Sequence, residues 1–124
     1  MKVGFANGVF DGLHPGHRFF IQKAYEHCSW LILAINDDES VRARKGLGRP
    51  SSPLEARLRA LRLAGLADAI IPFDGDPIPL IKVLKPDVLI RGEDQSTEGA
   101  QFATRTAIIP RLAGFSTTEM LNAS

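Results

Sequence analysis

The chain contains one cysteine, almost no net charge and no long apolar run, and each scarcity closes off a class of answer. A lone Cys28 cannot form an internal disulfide; it fits a reducing compartment and reads as a small core residue. The 15 Lys and Arg against 14 Asp and Glu leave a net charge of +1. The whole molecule therefore has no bias toward nucleic acid or any other polyanion, and electrostatic function must come from a local cluster. No apolar stretch approaches membrane-spanning length, which argues against a membrane partner. Lys2 is not followed by a signal-peptide apolar region either, because Asn7, Gly8 and Asp11 interrupt it. The expected location is the cytoplasm. With no internal repeat and no low-complexity segment, 124 residues read as one free-standing domain, 1–124, large enough for a real core and too short for two.

What is present alternates. The segment KVGFA reads as a short buried strand ending at Asn7-Gly8. It is followed by a helical pattern in HRFFIQKAYEHC. The continuous apolar run Trp30–Ile35 suits a strand covered on both faces. NDDESVRARKGLGRP reads as a polar loop with a helical turn inside it. SSPLEARLRALRLAG reads as a helix with Ser52 as cap, Pro53 at the first helical position, Glu55 completing a capping box and Gly65 as stop. Further strands are expected at DAIIPF, PDVLIRG and TAIIP, with helices at PIPLIKVLK and STTEMLNA. Such alternation implies right-handed crossovers. The expected fold is α/β: a Rossmann-like, doubly wound sheet of about five parallel strands with helices on both faces. Ligands then bind outside the carboxyl ends of the strands. The chemically unusual stretches all follow strand ends: Asn7 to His17, Asn36 to Arg49, Arg91 to Asp94 and Arg111 to Thr118.

Two of the three histidines lie in FANGVFDGLHPGH, on either side of Pro15-Gly16. Proline is suited to a first helical position. His14 then lies at the cap and His17 one turn inside, on the same face. A helix N-terminus with free amides attracts phosphate, and Gly16 lets a ligand approach the backbone. Two imidazoles there can donate to phosphate oxygens as charge develops. Arg42, Arg44, Lys45 and Arg49 concentrate positive charge on the same sheet edge, suited to clamping phosphates that would otherwise repel. In GFSTTEM, Ser116 and Glu119 form a second capping box, and Arg111 stands before it; this is a second candidate anion site. Asp11 either holds a loop by accepting backbone amides or binds magnesium through water. Asp94 either meets the ribose or base edge or caps a turn.

GVFDGLHPGH resembles the HxGH signature of the cytidylyltransferase-like branch of the nucleotidyltransferases, which join a nucleoside triphosphate to a phosphorylated alcohol or sugar and release pyrophosphate. The middle of the chain, AINDDESVRARKGLGRPSSPLEAR, together with LKPDVLIRGEDQ, is similar to bacterial heptose 1-phosphate adenylyltransferases. RLAGFSTTEML resembles the R-x-x-G-x-S-T-T signature of glycerol-3-phosphate cytidylyltransferases. The resemblance implies catalytic roles for His14, His17, Lys45 and Arg111. It implies nucleotide contacts from Asn7, Gly8, Phe10, Asp11, Gly16, Arg91, Gly92, Asp94, Ser116, Thr117 and Thr118, and acceptor contacts from Arg42, Lys45 and Arg57. For Arg57 a surface salt bridge is the competing reading. The implied partners are ATP, or CTP in the alternative, and a phosphorylated sugar or polyol, with Mg²⁺ neutralising the triphosphate. The family often forms homodimers, for which Phe19 and Phe20 offer an apolar contact if they are not core. A nucleotide-binding domain without catalysis is the rival from another class; it could dispense with the histidines that are present here.

Overall fold

The computed structural model of the protein describes residues 1–46 and 48–112. Five strands form one parallel sheet: β1 (Val3–Gly8), β2 (Trp30–Asn36), β3 (Ala69–Phe73), β4 (Val88–Gly92) and β5 (Arg105–Ile109). Their order is β3-β2-β1-β4-β5. β1 pairs with β2 from Val3↔Trp30 to Gly8↔Ile35, and with β4 at Gly4↔Val88 and Phe5↔Leu89. The chain thus winds outward from β1 in one direction, then returns to wind in the other. The switch in strand order falls between β1 and β4, where a doubly wound sheet opens a crevice at its carboxyl edge. Pro72 is tolerated in β3 because that strand lies at an edge of the sheet.

The strands are apolar on both sides because both faces are covered. Ala6, Leu31, Leu33, Ile35, Val88 and Ile90 pack with Ile21 and Ala24 of α1 (Pro15–Ala24) and with Leu58 and Leu61 of α3 (Leu54–Ala64). The alternate residues Phe5, Ile32, Ala34 and Leu89 pack with Ile81 of α4 (Ile78–Leu84) and with Phe102 in a 3-10 turn at Ala100–Phe102. Cys28 is buried among the first group, its Sγ donating to the Ala24 carbonyl. The sheet and its two covered faces are as the alternating pattern predicts.

Two local expectations need correction. The stretch read as a loop with one turn is a full helix, α2 (Asp38–Lys45). The Asp37 side chain caps it by accepting from Ser40 N–H at 2.8 Å. Acidic Asp38 and Glu39 open it and basic Arg42, Arg44 and Lys45 close it, the charge order that the helix dipole favours. The second correction concerns α3. Its N-cap is Pro53, with no side-chain cap of its own. In place of Ser52, the carboxylate of Asp38 reaches across from α2 and accepts from Leu54 N–H at 2.9 Å. Gly65 does stop α3, in the left-handed conformation (φ 63°) that glycine adopts without strain. The expected helix at STTEMLNA lies outside the described residues.

Candidate active site

Strand β1 leaves the sheet through Gly8, and Phe10 takes a left-handed turn (φ 53°) that folds its ring back beneath the helix start. A side chain on Gly8 would meet that ring at 2.9 Å, so the turn requires glycine there. The Phe10 ring supports His17 at 5.1 Å between centroids and Phe20 at 6.5 Å.

The two histidines build the start of α1 themselves. His14 is the N-cap in extended backbone, with Pro15 following. Its Nδ1 accepts from Gly16 N–H at 3.0 Å, and its own N–H donates to His17 Nδ1 at 3.4 Å. This is a capping box made of two imidazoles, their rings stacked with centroids 3.7 Å apart. The reciprocal bonds fix the chemistry of both rings. A ring nitrogen that accepts from an amide carries no proton, so the proton of each neutral imidazole sits on Nε2. His14 Nε2 is buried with no hydrogen-bond partner among the described residues. A buried, unpaired donor is costly unless a ligand satisfies it.

Both rings are held neutral. Burial, first, and then the neighbouring His14 and Lys45 push the His17 pKa down to about 3, against an opposing pull from Asp11. Burial lowers that of His14 as well. A consequence is measurable in stability. His17 is neutral when folded but has a usual value of 6.5 when unfolded, so the unfolded chain binds the extra proton and stability falls as pH drops from 6.5 toward 3. The thermal midpoint is expected to decline already between about pH 6.5 and pH 5, above the range where ordinary carboxylates titrate. His17→Gln, which cannot take up that proton, is expected to flatten this part of the curve.

Around the histidines lies a cavity of about 420 Å³ at the carboxyl edge. It gathers Asn7, Gly8, Phe10, His14, Gly16, His17, Lys45, Gly92, Asp94 and Arg111, all named from the sequence. Its two ends differ. Phe20, Ile109, Pro110 and Leu112 line the side toward β4 and β5, whereas Arg44 and Lys45 of α2 line the side toward β2. Burial and the charges of Arg49 and Arg44 lower the Lys45 pKa, opposed by Asp11. On the β4 side Arg111 pairs with Asp94 at 3.1 Å, and Glu93 accepts from Arg111 N–H at 3.3 Å. Sequence reasoning did not single out Asn36, Glu93 or Gln95 at this cavity; Arg44 it named only as one of a basic cluster. Asn36 carried a signal, being the polar residue that ends the apolar run of β2; Gln95 carried none.

Four expected ligands do not line the cavity. Asp11 is buried with both oxygens occupied, accepting from Ser51 N–H at 2.6 Å and Ser52 N–H at 2.9 Å. It pins the loop before α3 to the turn after β1, which is the loop-holding alternative of the sequence reading. Arg42 faces a separate shallow cleft with Arg49, Asp38 and Pro53. Arg57 does not line the cavity, and its ion pair with Asp38 is buried on the arginine's side rather than lying on the surface. It is buried, with Nε donating to Ser52 O, Nη1 to Val9 O and Asn36 O, and Nη2 to Asp38 at 2.6 Å. Arg91 is buried under the cavity floor, its Nη1 donating to Asn7 Oδ1. Ser116, Thr117 and Thr118 lie outside the described residues. Among the described residues no group of three or more His, Cys, Asp or Glu could hold a metal ion. Asp11 accepts two backbone amides and Asp94 pairs with Arg111, so among the described residues no carboxylate cluster is arranged to hold Mg²⁺. No described helix is long and apolar enough to cross a membrane.

A family model described as cytidylyltransferase-like matches residues 5–107. A bifunctional protein HldE from Hyphomonas neptunium is 40% identical over 129 residues, covering 98% of this chain and 26% of its own length. The HldE of Gluconacetobacter diazotrophicus is 46% identical over 95 residues, 76% of this chain and 20% of its own. The chain thus spans about a quarter of the length of the curated relatives it matches. Among solved structures, a lipopolysaccharide core biosynthesis protein from Thermoplasma volcanium superposes with a TM-score of 0.71 at 24% identity, covering 90% of this chain and 97% of that one. A pantothenate synthetase from Thermus thermophilus superposes at 0.61 with 13% identity, covering 99% and 65%. At these identities the structural likenesses establish the fold.

Proposed function

The chain belongs to the cytidylyltransferase-like family of nucleotidyltransferases, and from that premise we propose that it transfers the nucleoside monophosphate of ATP to a sugar phosphate of the heptose 1-phosphate kind, releasing pyrophosphate. The observation that carries the proposal is the neutral histidine pair at the N-terminus of α1, with the Nε2–H of His14 buried without a partner among the described residues. The apolar side chains at one end of the cavity and the cations of α2 at the other support an order for the substrates. The nucleoside lies toward Phe20, Ile109 and Pro110, the triphosphate crosses to the histidines, and the acceptor phosphate sits toward Lys45 and Arg44.

The reaction needs no protein nucleophile. An oxygen of the acceptor phosphate, already ionised at neutral pH, attacks the α-phosphorus in line. A new P–O bond forms as the bond to the β-phosphate breaks, and pyrophosphate leaves with the electron pair. Catalysis is positioning and charge stabilisation. His14 and His17 donate from Nε2 to α- and β-phosphate oxygens. They act as dipoles, at no cost in proton transfer. Lys45 screens the repulsion between donor and acceptor. Arg111, freed from Asp94, joins Ser116, Thr117 and Thr118 on the β- and γ-phosphates. Magnesium enters only as a counter-ion that the triphosphate brings with it.

The test is a pyrophosphate-release assay crossing ATP and CTP with heptose 1-phosphate, glycerol 3-phosphate and other sugar phosphates. Turnover with ATP and a sugar 1-phosphate is the expected result. Turnover only with CTP and glycerol 3-phosphate would move the protein to the cytidylyltransferase side of the family. No turnover in any combination would leave a nucleotide-binding domain without catalysis.

A further inference from the structure

Arg91 presents an unexplained cost. It is 2% exposed, on the strand that borders the switch point. Among the described residues no carboxylate pairs with it, its Nε has no hydrogen-bond partner, and its one partner is the side-chain oxygen of Asn7. Burial lowers its pKa only to about 10, so it stays charged at neutral pH. A buried, unpaired guanidinium does not stabilise a fold; an apolar side chain of similar volume would serve the core better.

Its partner gives it a purpose. Asn7, the last residue but one of β1, lines the cavity next to the strand that carries Arg91. A guanidinium can only donate, so the amide must turn Oδ1 toward it, which leaves both N–H bonds of Nδ2 as donors. The bond to a cation also polarises the amide and strengthens those donors. The backbone of Asn7 is held as well: its carbonyl accepts from Gln95 Nε2 at 3.0 Å, while Gln95 Oε1 accepts from Gly92 N–H at 2.8 Å. The β4 end and the turn after it thus fix Asn7 in place and in orientation.

We propose that Arg91 is a positioning residue that locks the Asn7 amide, across the β1–β4 switch point, as a donor to an anionic oxygen of the reacting phosphates. The inference rests on the nucleotidyl-transfer reading of the cavity. It adds a donor on the cavity floor between the histidines and the nucleoside end.

A double-mutant cycle tests it, with kcat, KM and thermal midpoint measured for each protein under the substrate pair that the wild type turns over. The variants are Asn7→Ala, Arg91→Met and the double. Each single change is expected to lower kcat by about tenfold or more, with the larger effect in kcat rather than in KM for the nucleotide. The double variant should be no slower than the slower single, because both changes remove the same donor geometry. Arg91→Lys, which keeps a buried cation in reach of Asn7, should recover most of the kcat. If Arg91→Met does not fold, Arg91→Gln keeps a donor at the same depth and completes the cycle. Multiplicative losses in the double variant, or an Arg91 variant that loses thermal stability but keeps its kcat, overturn the proposal. An inactive wild type overturns the underlying reading instead, so the two failures are distinct.

Discussion

His14→Asn and His17→Gln are each expected to lower turnover by about 100- to 1,000-fold while the fold survives, the range seen when one preorganised donor to a developing oxyanion is removed. The choice of substitutions matters because these histidines have two jobs. Each spends Nδ1 on the capping box, and the buried Nε2 of His14 has no partner among the described residues. Alanine would remove both functions together and cost about 1 kcal/mol of helix stability at the cap. Asparagine is among the best N-cap residues, and glutamine at the third helical position can reach back to the cap N–H. Both preserve the start of α1; asparagine is too short to donate at the depth of Nε2, and glutamine replaces the fixed ring donor with one on a flexible stem. Circular dichroism and thermal midpoints near wild type, combined with the loss in pyrophosphate release, would place the effect in the chemistry. Near-normal turnover in both variants would reduce the histidine pair to a helix cap.

The same residue pair shows what was legible in the sequence. Pro15 between two histidines, just after a strand, predicted the helix start, the shared face and the anion site, because all three follow from local geometry. The order of apolar and polar segments predicted the parallel sheet, and its carboxyl edge gathered most of the candidate ligands. What the sequence left open or misread was the role of charged residues whose partners are far away in sequence. Asp11 meets backbone amides at Ser51 and Ser52, and nothing in the local string FDGL distinguishes a carboxylate that closes a loop from one that meets a ligand. Arg57 binds carbonyls at Val9 and Asn36; a helical arginine beside a glutamate reads as a surface ion pair unless its tertiary neighbours are known. Arg42 and Arg44 lie two apart in one basic run, but on a helix such residues do not share a face. A stretch expected as loop could not say which would line the cavity, and it is Arg44 and Lys45 that do.

Arg57→Ala is expected to be the most destabilising single change described here, by about 3 kcal/mol or more. The guanidinium ties together four segments: the turn after β1 through Val9 O, the end of β2 through Asn36 O, the entry to α3 through Ser52 O, and α2 through Asp38. Removing it leaves three buried or half-buried carbonyls without these donors and Asp38 without its cation. For a domain of this size the loss lowers the thermal midpoint by about 10 °C or more. Arg57→Lys should recover little, since an ammonium on a flexible stem cannot span partners arranged for a planar fork. The measurement also decides between the structural and ligand roles of this residue. Assayed well below its midpoint, the alanine variant should keep its KM for the acceptor, because no substrate oxygen can reach a side chain whose exposure is 1%. A variant of wild-type stability with a raised acceptor KM would return Arg57 to the binding site. The structural role fits the rest of the edge. Asp11 and Arg57 together hold the loop before α3 against the turn after β1, and α2 between them carries Lys45 to the histidines. Loosening that clamp should reduce activity only as far as it reduces the folded fraction.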